Sequence, residues 1–119
     1  MEIVNLGQKF SLFSDYWSPK IVGDLNGQQI KLVKLKGEFM WHHHEKEDEL
    51  FLVVQGCLRL RLRDREFLIH EGEFFIVPRG VEHLPMADEE CHVVLLEPAS
   101  TLNTGNIKND RTVEELQHL

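Results

Sequence analysis

The chain is poor in cysteine, with only Cys57 and Cys91 among 119 residues. Two thiols cannot build the disulfide framework of a small secreted scaffold, so a reduced cytoplasmic setting is expected. Long apolar runs are also missing. The longest, Leu50–Val54, is five residues, far below the ~20 that a membrane-spanning helix requires. The first residues, Met1 to Gly7, carry neither a basic stretch nor an apolar one, so no signal peptide is expected. Basic residues are outnumbered, 13 Lys and Arg against 20 Asp and Glu, for a net charge of −7. That balance argues against a nucleic-acid surface, which needs clustered positive charge to neutralise phosphates.

What is present is a succession of short strands. Asn26-Gly27 precedes a run from Gln28 to Trp41, and Asn-Gly is the strongest short hairpin signal because both residues tolerate positive φ. Leu50–Gln55, Leu58–Leu62, Phe67–His70, Phe74–Val77 and Cys91–Glu97 follow, each bounded by Gly, Pro or a charged turn. This near-regular spacing, with no long helical period between strands, predicts an all-β sandwich or barrel. Leu58, Leu60 and Leu62 alternate with Arg59, Arg61 and Arg63, which predicts a core face beneath a solvated basic face.

The ends read differently. Leu6, Phe10 and Phe13 have helical spacing and predict a short amphipathic helix near residues 5–14. Thr112 to Glu115 has a capping-box pattern, which predicts one or two helical turns there. Ile21, Val22, Ile30, Leu32, Phe10 and Phe13 are more apolar surface than a small barrel needs. Together with strand edges open to pairing, they predict a homodimer that buries part of residues 5–35.

Seven histidines are many for this length, and His42, His43 and His44 are consecutive. On a strand, residues two apart share a face, so His42 and His44 point one way and His43 the other. Two imidazoles on one face are a ready grip on a transition metal. Glu49 shares parity with Phe51 and Val53, so it is expected to face the interior, where a carboxylate is costly unless paired or bound to a cation. A second cluster runs Gly72, five residues, Pro78-x-Gly80, two residues, His83. Cys91 shares parity with Val93 and Leu95 and reads as a small buried thiol.

These two stretches resemble the two signature motifs of the cupin superfamily. The first motif is Gly, five residues, His-x-His, three or four residues, Glu, six residues, Gly. Here Gly37, His42-x-His44, four residues, Glu49, six residues and Gly56 stand in that order. The second motif is matched from Gly72 through His83. Two departures are visible: Gly37 precedes His42 by four residues and not five, and Ala87 stands where the motif has Asn. A rival frame, His43-x-Glu45, restores the five but loses a histidine.

The resemblance implies a cupin jelly-roll β-barrel with short terminal helical segments, similar to small cupins labelled mannose-6-phosphate isomerase-like. It divides the chain into an N-terminal helix and strand extension over 1–28, a barrel core over 29–99 and a C-terminal tail over 100–119. It implies metal ligands at His42, His44, Glu49 and His83. Three imidazoles and a carboxylate suit Mn, Fe, Co, Ni, Cu or Zn, and not Ca or Mg. The implied activity is that of a small metalloenzyme, isomerase-like or oxygenase-like, on a small polar substrate. The alternative is a non-catalytic sugar- or small-molecule-binding module. Glu38, Gln55 and Arg59 are the polar residues to look for in the cavity.

Overall fold

Period-two patterning carries the middle of the chain into strands, and a computed structural model describes all 119 residues. One helix, α1 (Leu6–Phe10), precedes eight strands: β1 (Lys20–Leu25), β2 (Gln28–Glu38), β3 (Glu49–Gln55), β4 (Leu58–Arg61), β5 (Glu66–Ile69), β6 (Phe74–Val77), β7 (Leu84–Pro98) and β8 (Gln117–His118). The β1–β2 hairpin turns at Asn26 and Gly27, both with positive φ, at 49° and 79°, as a type I′ turn demands.

The 15-residue β7 is the axis of the fold. Along one edge it pairs antiparallel with β2; along the other it pairs first with β4 and then with β3. β5 extends from β4, and β6 extends from β3. The two arms curl over a shared interior in a jelly roll, and the hydrogen-bond ladder does not close into a complete ring.

Alternation fills that interior. Leu58 and Leu60 are fully buried while Arg61 is exposed and Arg59 half-buried, as the leucine–arginine pattern predicts. Val33 and Leu35 from β2, Phe51 and Val53 from β3, and Cys91, Val93 and Leu95 from β7 complete the main core. Gly56, at the β3–β4 turn, has φ of +89°, and a Cβ there would come within 2.9 Å of the Glu90 carbonyl oxygen. Only glycine fits.

Three expectations need correction. The N-terminal helix is one turn, with Asn5 capping the Gln8 N–H, and it ends before Phe13. The C-terminal helix does not form. The Thr112 hydroxyl accepts from the Asn109 N–H and bonds Thr104, so it is not available to cap, and the chain goes on to add β8 to β1. The run from Gln28 shifts register against β7 between Leu35 and Gly37 and stops at Glu38, so His42 and His44 lie in an irregular segment and not on a strand. Within residues 5–35, Leu12, Tyr16 and Leu25 are exposed, whereas the six apolar residues expected to supply a dimer surface pack within the chain. Phe10 packs on Leu32 and Val94, with Phe13, Val22 and Ile30 around them, and Ile21 is buried within the same chain.

Candidate metal centre

Although His42 leaves the strand, one bridge restores its placement. The His42 and His83 backbones exchange both hydrogen bonds, at 3.1 and 2.9 Å, an antiparallel pairing that sets the two residues side by side. The Pro78–Gly80 turn is fixed by the Gly80 N–H donating to the His44 carbonyl at 2.7 Å. Asp48 clasps the same turn, accepting from the Arg79 N–H at 2.8 Å and pairing with its guanidinium. Glu49 then opens β3 on the inner face, in line with buried Phe51 and Val53.

All four expected residues meet. His42, His44, Glu49 and His83 are buried, and each offers a ligand atom within 4.8 Å of the others. Glu49 Oε1 lies 3.4 Å from both His44 Nε2 and His83 Nε2. Those three atoms are buried without any hydrogen-bond partner, a costly arrangement for a folded chain. The other ring nitrogens of His42 and His83 contact the Met40 and Val81 carbonyls, each at 2.9 Å. Those contacts assign the proton to Nδ1 and leave Nε2 free to ligate. Burial, and then the neighbouring His83, push the His42 pKa down to about 4, so its imidazole is neutral, the metal-binding form. Burial alone would raise the Glu49 pKa. The adjoining Glu97, His44 and His83 side chains outweigh it and hold the carboxyl well below its ordinary range. The donor set, its burial and its unpartnered atoms all fit a transition-metal ion.

Beside the cluster lies a partly open cavity of about 40 Å³, walled by His42, Glu49, Glu97 and the aromatic rings of Trp17, Phe39 and Phe51. That space admits a few water molecules. Trp17 stacks on Phe39 at 4.9 Å, and the Arg111 guanidinium covers Phe39 at 4.6 Å. Trp17 adopts a left-handed backbone, φ 61°, a strained conformation for an aromatic residue.

Sequence reading missed several of these residues. Glu97 continues the inward face of Cys91, Val93 and Leu95 by two positions, and parity could have found it. It is 2% exposed and bonded at 2.8 Å to buried Lys31. Burial, and then the Glu49 charge, raise its pKa well above normal. Trp17, Phe39 and Asn103 carried no signal. The C-terminal segment reaches the site too: Asn106 bonds both backbone groups of His43, and a Cβ at Gly105 would overlap the His43 carbonyl oxygen. Of the polar residues looked for in the cavity, Glu38 and Gln55 are exposed, and Arg59 pairs with Asp88 and Glu66 outside it. His43 points away and contacts Glu45 at 2.7 Å, so the rival frame is not the one that converges.

Comparison with known proteins agrees with this geometry. The chain is 46% identical to a cupin-2 domain containing protein from Shewanella frigidimarina, with a TM-score of 0.80 over 81% of this chain and 94% of that one. It is 35% identical to protein NMB1881 of Neisseria meningitidis, with a TM-score of 0.76 over 82% of this chain and the whole of that one. The Bacillus subtilis protein YdbB, uncharacterized, is 32% identical over 63 residues, 52% of this chain and 56% of its own length. The chain thus spans about half the length of that curated relative. None of these supports the narrower mannose-6-phosphate isomerase-like grouping. Residues 31–97 match the cupin domain family Cupin_2, and the chain belongs to it.

Proposed function

We propose that His42, His44, Glu49 and His83 bind one divalent transition metal, drawn from Mn, Fe, Co, Ni, Cu and Zn. In this reading the chain is a small metalloenzyme, isomerase-like or oxygenase-like, acting on a small polar substrate. One observation carries it: three unpartnered buried ligand atoms converge beside a cavity. The metal, when bound, would polarise a substrate oxygen or activate dioxygen. The chain's own part is positional. The Met40 and Val81 carbonyls orient two imidazoles, while Trp17, Phe39 and Phe51 limit water and substrate size. Two free cysteines suit a reducing cytoplasm. A homodimer that buries part of residues 5–35 belongs to the same reading, supported by exposed Leu12, Tyr16 and Leu25 there and by Phe74 and Ile76 on edge strand β6.

The test is metal content of the purified chain, followed by turnover and oxygen uptake on a panel of small polar substrates. Stoichiometric metal, with turnover lost on chelation and restored on reloading, supports the enzyme. Ligand binding that needs no metal and gives no turnover supports the non-catalytic module.

A further inference from the structure

Three adjacent strands bring three buried charges into one row. On the inner face of β3 stands Glu49, on that of β7 Glu97, and on that of β2 Lys31. Leu50 pairs with Leu96 across the antiparallel β3–β7 ladder, so the next positions outward, Glu49 and Glu97, face each other. Lys31 pairs with Leu95, which puts its side chain diagonal to Glu97. The Lys31 Nζ to Glu97 Oε1 distance is 2.8 Å, with both side chains essentially inaccessible.

As a purely structural pair this arrangement is poor. Two carboxylates directly opposite on a ladder repel, and one ammonium cannot neutralise both. Glu97 Oε2 is buried with no partner. Replacing such an ion pair by hydrocarbons is often neutral or stabilising, so folding alone gives little reason for it. The arrangement makes sense once Glu49 is committed to a cation. A second carboxylate anchored by Lys31 then fixes the Glu49 carboxyl plane from behind, as outer partners do for metal-bound carboxylates.

We infer that Glu97, held in place by Lys31, is a positioning residue that aims the Glu49 carboxylate at the metal. The inference rests on the proposed metal reading. Glu97 is outside the group of four whose ligand atoms lie within 4.8 Å of one another, so it acts through Glu49 and not as a fifth ligand.

The double variant Lys31→Met/Glu97→Leu removes the ion pair behind Glu49 without stranding either of its partners as a lone buried charge. Its unfolding midpoint is expected to match or exceed that of the wild-type chain. Its affinity for Co²⁺ is expected to fall about 10- to 100-fold, with a shifted Co²⁺ visible absorption band. Glu97→Gln, whose amide can bond Glu49 and still accept from Lys31, restores most of the affinity. If the double variant does not fold, Glu97→Asp carries the test: it keeps the ion pair, draws back from Glu49, and shifts the same band. Unchanged Co²⁺ affinity and an unchanged band in a folded variant overturn the inference while the metal reading stands. A wild-type chain that binds no Co²⁺ overturns both.

Discussion

The two ends of the barrel interior are built on the same strands and do opposite things. Along β3 the inner face runs Glu49, Phe51, Val53; along β7 it runs Glu97, Leu95, Val93, Cys91. At one end these strands meet His42, His44, His83 and Lys31, and buried polar atoms lack partners. At the other they meet Leu58, Leu60 and Ile69, with hydrocarbon on every side. The polar end costs folding free energy. The apolar end supplies it, because burial there is complete and close-packed. The division of labour follows: one end holds the fold, and the other is held in a geometry it would not choose alone.

The largest break of that contrast is loss of a ligand. His44→Ala removes one of only four converging protein ligands and should lower bound metal sharply. His43→Ala, one residue away, loses only a contact to exposed Glu45 and should keep its metal. Metal stoichiometry on the two purified variants decides it, and retention in His44→Ala with loss in His43→Ala would reverse the ligand assignment.

A cut at the apolar end should give the complementary result. Leu60 is fully buried in the main core, so Leu60→Ala removes buried methyl groups and leaves a cavity, a loss of about 2–5 kcal/mol. Denaturant unfolding reads that loss directly. Metal stoichiometry under native conditions should stay at the wild-type value, since the His42–His83 bridge lies at the other end. Metal loss without destabilisation would show that the ends are not separable.

How much of this was legible depends on where each residue stands in its strand. Leu58 and Leu60 alternate with arginines inside a strand, and period two leaves one solution. Glu49 was legible because parity set it beside Phe51 and Val53, and because histidines stood nearby. Glu97 had the same parity argument but sits near the end of its strand before Pro98, where a carboxylate is ordinarily solvated. Lys31 shares the parity of Val33 and Leu35, but a lysine is ordinarily solvated, and Lys34 and Lys36 beside it read the same way. Trp17, Asn103 and Asn106 reach the site from loops, where no periodicity operates. The Thr112–Glu115 pattern misled because a hydroxyl that can cap a helix can equally bond a neighbouring threonine, and Thr104 took it.

The smallest expected effect sharpens the contrast from the apolar end, through its two thiols. Cys91 is fully buried with its backbone against Gly56, whereas Cys57, one residue along that turn, is half-exposed. Burial, and then the nearby Cys57 and Glu71, push the Cys91 pKa up to about 12. Alkylation requires the thiolate, and at pH 8 a group with that pKa holds roughly one part in ten thousand as thiolate. Each further pH unit raises that fraction only about tenfold, so Cys91 should stay unlabelled in the native chain from pH 7 to pH 9. Cys57 should label in the same samples, and both should label after unfolding. Peptide mapping distinguishes the two sites. Since Cys57 adjoins the hydrocarbon end, its modification should leave metal stoichiometry unchanged. Rapid native labelling of Cys91 would instead mean that this end opens on the timescale of the reagent, and an end that opens cannot be what holds the metal centre in its unpartnered geometry.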